Sequence, residues 1–356
     1  MIQLNPEQRN FILESAIQAP SADNHHRIRF QVEADTISIR YTEKILPQGG
    51  YKRVLALLSL GAMVENLSIA ARRFSLEAQA TLIPDPSRFG LAIKIRLLPT
   101  KTAADPLWHA IPQRHTNRRI RYRGPKLNAV ESSALDIAVS VYPSSQLIWL
   151  DQPAQRTQAL RLMRRAETAR FQNQVLHEEL FSAIRFDIGW HTTCEEDLPP
   201  GALAVEPPMR PLFALLRHWP VMRLANLLGT HHLLGLRACD LPCRLAPHLG
   251  LLAVRNTGNQ AVFDTGRAFQ RLWLTLTVQG RVLQPLPASA LYALEGAQAE
   301  GIPLKLQQRL AESWKASLGN RIPLILFRIG FAPPTLITAG RPQLGEFMDP
   351  HPRGIS

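Results

Sequence analysis

Hydrophobic positions along the chain follow helical spacing in some segments and strict alternation in others. Asn5-Pro6 sets a capping side chain before proline at a first helical position, which predicts a helix running to about Gln18. Residues 27–33 and 37–41 alternate and predict a hairpin. Leu57, Leu60, Val64, Leu67 and Ala71 recur at helical spacing, so Tyr51 to Phe74 predicts a long helix, with strands at about 76–83 and 91–98 after it. The pattern then predicts a helix at 128–140, a strand at 146–150 and a helix with a basic, exposed face at 153–185. Beyond residue 245 it predicts strands at 249–255, 281–285 and 321–331, and helices at 262–279 and 304–318. Residues 190–245 are punctuated by Pro and Trp and predict short helices without a sheet. Residues 332–356 are rich in Pro and Gly and predict an extended arm.

One pattern recurs. Gly61-Ala62-Met63-Val64-Glu65-Asn66-Leu67-Ser68-Ile69 can be laid on Gly266-Arg267-Ala268-Phe269-Gln270-Arg271-Leu272-Trp273-Leu274, more than half the chain later. Both begin with Gly, carry Glu or Gln four positions on, and continue Leu-x-aliphatic. Each precedes a short strand with proline at its end. Leu, Ala and Gly are common here, so two unrelated amphipathic units would look alike as well.

Composition narrows the class. The 356 residues are 46% hydrophobic and 19% charged, enough for a large core and too sparsely charged for a disordered chain. No stretch reaches the roughly 18 uninterrupted apolar residues of a spanning helix, since Pro323 and Arg328 interrupt the longest candidate. Cys194, Cys239 and Cys243 cannot build a disulfide framework in so long a chain, and the start has no basic region followed by an apolar run. The expectation is a cytoplasmic protein with no membrane partner. A net charge of +13 is the one extreme number, and it asks for an anionic partner such as nucleic acid, a membrane surface or a phosphorylated small molecule.

Two segments carry candidate chemistry. Ala19-Pro20-Ser21-Ala22-Asp23-Asn24-His25-His26 follows the first helix, and Asn24 offers a donor and an acceptor in a loop. A helix-ending turn explains that segment equally well. Arg114-His115-Thr116-Asn117-Arg118-Arg119, extended by Arg121 and Arg123, gathers five arginines in ten residues. Guanidinium forks and the Thr116 hydroxyl suit a phosphate, while a solvated loop or a nucleic-acid contact are the alternatives. Cys239-x-x-x-Cys243 with His231-His232 and His248 has the composition of a zinc site. Pro242 interrupts it and the spacing is not Cys-x-x-Cys, so buried, inert cysteine is the preferred reading. The chain contains no Gly-x-Gly-x-x-Gly, Walker loop or Gly-x-Ser-x-Gly elbow.

These residues resemble the nitroreductase family of FMN-binding flavoproteins. Ala19-Pro20-Ser21-x-x-Asn24-x-His26 is similar to the family's Ala-Pro-Ser-x-x-Asn-x-Gln-Pro-Trp loop, with His26 at the Gln position and Arg27-Ile28 replacing Pro-Trp. Arg114-x-Thr116-x-Arg118 is similar to its Arg-x-Ser-x-Arg/Lys phosphate loop. The Gly61 and Gly266 helices resemble its long central helix, and Arg328-Ile329-Gly330-Phe331-Ala332-Pro333-Pro334 its last strand and following arm. The family's phosphate loop normally precedes its Asn loop in one subunit, and its FMN sites lie between two subunits. Here the order is reversed, and Tyr142-Pro143-Ser144-Ser145-Gln146, where a second Asn loop should fall, lacks Asn.

The resemblance therefore implies an α+β fold of the three-layer α/β/α nitroreductase type, with two repeats forming an intramolecular pseudo-dimer, monomeric or further self-associated. The halves would be residues 1–105 and 106–331, followed by an arm at 332–356, with 190–245 an insertion that is either a lid or a helical decoration. Arg114, Thr116, Arg118 and Arg341 would hold the FMN phosphate, and Pro20, Ser21 and Asn24 would approach the flavin from the other half. Pro285 has no N–H, so Gln284 or Leu286 would offer the family's backbone donor. The implied activity is NAD(P)H-dependent hydride transfer through FMN to a nitroaromatic or quinone-type acceptor. A flavin-sequestering protein with little turnover is one alternative, and a basic nucleic-acid-binding module is another. The cations spread over the chain, with further clusters at Arg72-Arg73 and Arg161 to Arg170, which disfavours the last.

Overall fold

Asn5 starts helix α1 (Pro6–Ile17) through a capping box, its side chain accepting from the Gln8 N–H while the Gln8 side chain accepts from the Asn5 N–H. The computed structural model describes residues 4–43, 50–85 and 90–349. Strands β1 (Ile28–Glu33) and β2 (Thr36–Tyr41) form the hairpin, followed by α2 (Tyr51–Arg72), β3 (Leu76–Asp85) and β4 (Gly90–Pro99). They make an antiparallel sheet in the order β1-β2-β4-β3. Next come α3 (Ala129–Ser140), β5 (Ser145–Trp149), α4 (Pro153–Gln172) and α5 (Gln174–Ser182). The predicted single helix at 153–185 is two, because Asn173 turns extended and its side chain caps α5 by accepting from the Leu176 N–H. Short helices α6 (Arg210–Leu215), α7 (Trp219–Asn226), α8 (Thr230–Gly235) and α9 (Leu241–Arg244) fill the segment expected to lack a sheet. The chain continues through β6 (His248–Val254), α10 (Asn259–Val278), β7 (Val282–Pro285), α11 (Ala288–Leu291), α12 (Leu304–Leu318) and β8 (Ile322–Gly330).

The second sheet runs β5-β6-β8-β7, again antiparallel, so it repeats the order of the first. Each sheet has its long helix between its second and third strands. The sheets differ in cover. In β4 buried Ile93, Ile95 and Leu97 alternate with exposed Lys94 and Arg96, so one face of that sheet meets solvent. Every residue of β6 is buried, because α10 covers one face of the second sheet while α11 and α12 pack on β8.

Helices α2 and α10 pack on each other between the sheets, and the two glycines of the sequence repeat mark the crossing. A Cβ on Gly61 would stand 2.1 Å from the Phe263 carbonyl oxygen, and one on Gly266 2.2 Å from that of Leu58. Phe263 and Leu58 each precede the opposing glycine's counterpart by three residues, so the contact is the same seen from either helix. Gly266→Ala should force the backbones apart and cost about 2 kcal/mol, as overpacking does. Urea unfolding measures this, and an unchanged midpoint would contradict the contact.

Glu65, fully buried on α2, accepts from Arg267 Nε at 3.0 Å and Arg271 Nε at 2.6 Å on α10, and from the Tyr142 hydroxyl. Arg271 also pairs with Asp105 at 2.8 Å, and Gln270 donates to Asn66 at 2.7 Å. Apolar side chains from both sheets and both helices form one continuous core. Helix α2 has the length and mean hydropathy of a spanning helix, yet 83% of its apolar window is buried inside the protein. The arm is irregular as far as Asp349 apart from one turn at Leu344–Phe347, and it returns to the first sheet, where the Asp349 N–H donates to the Phe30 carbonyl. Residues 350–356 of the expected arm lie outside the described residues.

Candidate anion and cofactor site

The C-terminus of α1 is where the two distant loops meet. No basic residue lies in its last turn, and two arginines from elsewhere supply the missing positive charge. Arg341 donates from Nε to the Ile17 carbonyl at 2.7 Å and from Nη2 to that of Ala19 at 2.9 Å. Its Nη1 donates to Asn24 Oδ1 at 2.5 Å and to the Gly340 carbonyl at 2.7 Å. Arg114 donates from Nη2 to the Gln18 carbonyl at 3.0 Å, and its guanidinium lies 4.5 Å from the ring centre of buried Trp273. Neither arginine pairs with a carboxylate among the described residues. Burial, and then the charge of Arg341, lowers the Arg114 pKa to about 9, and burial lowers that of Arg341 to about 10. The same two arginines, after burial, depress His115.

Asn24 is held by an unusual backbone. Asp23 and Asn24 both adopt left-handed φ values, 52° and 62°, which Asp and Asn tolerate better than other L residues. Asn24 is thereby buried, with Nδ2 donating to the Glu195 carbonyl at 3.1 Å. Pro20 is half-buried in the turn after α1, and Ser21 begins the short turn that carries Asn24. Ser21 Oγ and Arg114 Nε are both buried and have no hydrogen-bond partner among the described residues.

Thr116 bridges Leu283, and the Asn117 N–H donates to the Leu283 carbonyl at 3.1 Å, so the arginine loop runs beside β7. The Arg118 pKa is lowered by burial against the opposing pull of Asp23, and Arg118 Nη1 reaches the Ala202 carbonyl at 3.4 Å. The expected backbone donors face elsewhere. The Leu286 N–H donates to Leu326 at 2.7 Å, and Gln284, two residues earlier in the same ladder, faces β8 as well. Thus the edge of β7 toward the arginine loop presents the Leu283 carbonyl and Pro285, which has no N–H.

Three features escaped the sequence reading. Trp273 lies under Arg114. Arg328, fully buried in β8, donates to Gln284 Oε1 and to the carbonyls of Ile120, Pro242 and Arg119, and so fixes the arginine loop. Its only signal was a single cation in an apolar strand. Third, the insertion divides into two parts with different neighbours. Residues 193–202 reach the site, whereas α6–α8 do not: α7 and α8 pack on α4 and α5. In the first part the Gly340 N–H donates to the Cys194 carbonyl at 2.8 Å, and His25 lies 2.9 Å from Asp197. Cys239 and Cys243 are buried, and burial pushes both thiols up, Cys243 to about 12.

His26 Nε2 also meets the Glu195 carbonyl, at 3.2 Å. Burial, with further repulsion from Arg341, His25 and Arg27, lowers its pKa to about 4 from the ordinary 6.5. The folded state therefore binds fewer protons than the unfolded one between those values. The contribution is complete above about 6.5 and is lost as pH falls toward about 4. Protection of the amides of residues 193–197, corrected for the intrinsic slowing of exchange at lower pH, should fall between pH 7 and pH 5, and less so in His26→Gln. An equal fall in both proteins would contradict this assignment.

Beside the loop, Arg119, Arg121, Arg123, Ile120, Phe331 and Ala204 line a cavity of about 480 Å³. Its one carboxylate, Glu206, is paired with Arg237 at 3.0 Å, and none of the three arginines has an ion pair among the described residues. The cavity can accept an anion with an apolar body.

No protein-family model matches the chain, and no curated protein matches it. Its neighbours among solved structures include FMN-dependent nitroreductases and an FMN-bound deiodinase. An FMN-dependent nitroreductase, NfnB from Mycobacterium smegmatis in complex with NADPH, is 22% identical with a TM-score of 0.38, over 68% of this chain and 96% of that one. A nitroreductase with bound FMN from Desulfitobacterium hafniense is 13% identical with a TM-score of 0.36, over 69% and 99%. Iodotyrosine deiodinase bound to FMN and 3-iodo-L-tyrosine is 13% identical with a TM-score of 0.36, over 67% and 94%. These likenesses are too distant to carry an activity over to this chain.

Proposed function

We propose that the chain is an FMN-binding flavoprotein of nitroreductase type, a dimer fused into one polypeptide with a single cofactor site assembled from both halves. The observation that carries this reading is the pair of buried Arg114 and half-buried Arg341 at the end of α1, with no carboxylate partner among the described residues, together with the unpartnered Arg114 Nε and the unpartnered Ser21 Oγ of the Asn24 turn. A phosphate dianion would satisfy both orphan groups and raise both depressed pKa values. The matching strand orders and the Gly61–Gly266 crossing support the fused-dimer reading, with halves at 1–105 and 106–331 and the arm at 332–356.

Arg114, Thr116, Arg118 and Ser21 would hold the phosphate. Arg341, already engaged with three carbonyls and Asn24, would position the Asn24 loop. Bound FMN would supply hydride and electron transfer. The arginine-lined cavity would hold the anionic end of a donor such as NAD(P)H, and a nitroaromatic or quinone would be the acceptor.

A specific observation favours a second reading, sequestration with little turnover. Residues 193–197 are tied to Asn24, His26 and the Gly340 backbone, as a lid over the site would be. Anaerobic NADPH bleaches the flavin of an active reductase. A sequestering protein is bleached by dithionite and not by NADPH. Failure to bind FMN at all would remove both readings.

A further inference from the structure

We propose that α6–α8 rest on an anionic membrane surface. Between Glu206 and Asp240 the chain contains no acidic residue and four arginines, Arg210, Arg217, Arg223 and Arg237. The same stretch leaves leucines in water: Leu224 is 67% exposed, Leu227 80%, Leu228 88% and Leu233 66%. These are not an unfinished core. Leu216 and Met222 face inward and fill a small cluster with Phe171, Phe181 and Ile184, so the helices have their apolar side covered and carry a second one outward. Leu227 and Leu228 sit at the tip between α7 and α8, next to Gly229 in the left-handed region with φ +79°. A side chain added at Gly229 would meet nothing within 4 Å, so the tip projects from the surface.

Charge decides the occupant. A second copy of this chain would bring Arg217 and Arg223, both exposed, against the same stretch of its partner, which carries no carboxylate to pair them. A layer of anionic headgroups pairs them, and the acyl boundary beneath it takes the leucines. Exposed apolar area of this kind on a basic helical segment marks an interaction site rather than ordinary surface. The proposal departs from the expectation of no membrane partner, which rested on the lack of a spanning stretch. A surface-lying segment needs none. It is independent of the flavin reading and accounts for part of the +13.

The test sediments the full chain with vesicles of phosphatidylcholine alone and of phosphatidylcholine mixed with phosphatidylglycerol. Binding to the mixed vesicles that weakens with salt is expected. The double variant Leu227→Gln, Leu228→Gln should bind more than about tenfold more weakly. Arg217→Gln with Arg223→Gln should lose about as much, since each basic residue near an anionic surface contributes about fivefold, and should flatten the salt dependence. All four positions are exposed, so unchanged circular dichroism and melting temperature establish that the variants are folded. Absence of binding to either vesicle would overturn the proposal. So would a dimer in sedimentation velocity that Leu228→Gln dissociates without any vesicle binding, which would assign the surface to a second copy.

Discussion

Arg114→Ala lowers the affinity for FMN by about a hundredfold, the loss that follows when one member of a buried charge pair is truncated. The reasoning is electrostatic. Arg114 is buried, is repelled by the half-buried Arg341 guanidinium, has an unpartnered Nε, and among the described residues has the Gln18 carbonyl and the Trp273 face for support. Without a bound anion its charge opposes folding, so its removal leaves the stability of the flavin-free protein close to unchanged. A purely structural cap on α1 would behave in the opposite way, losing stability and leaving FMN affinity intact. Fluorescence titration of FMN and thermal melting of the flavin-free variant separate the two.

Glu65→Ala destabilises the protein by about 3–5 kcal/mol, because it removes a fully buried carboxylate from between two half-buried cations, leaving Arg267 with no ion pair among the described residues and Arg271 with Asp105 alone. Glu65 is the carboxylate shared by Arg267 and Arg271, and the Tyr142 hydroxyl leans on it as well. The three come from elements of the second half, so the loss appears in the global unfolding of the whole chain and not in one half. Urea unfolding should show one transition at a lower midpoint. A loss below about 1 kcal/mol, the range of an exposed pair, would place Glu65 outside the centre of the fold.

Much of this architecture was legible in the sequence, for reasons that differ between elements. The long helices, the hairpin and β6 carry their periods openly, and Asn5-Pro6 announces α1. The Gly61 and Gly266 repeat was visible, but that the two glycines touch each other was not, since helix crossing is a tertiary fact. Arg114, Asn24 and Arg341 were singled out separately, and they meet at the end of α1. That the Leu286 N–H is engaged by Leu326 is not readable from the sequence, because which amide of a strand faces its ladder depends on register. The 190–245 segment reads in the sequence as short helices alone; that residues 193–202 contact the Asn24 and Arg118 loops while α7 and α8 pack on α4 and α5 is set by tertiary contacts. Trp273 and Arg328 were unreadable as site residues because an aromatic on a core helix and an arginine in a strand acquire their meaning only from the neighbours that folding supplies.

The central claim is one flavin site made by two halves of one chain. The measurement that tests it most directly is the number of FMN molecules bound per chain, from the absorption spectrum of purified protein saturated with FMN and freed of excess. The account predicts one. Two would mean that each half keeps its own site, and a colourless protein that takes up none would contradict the assignment outright.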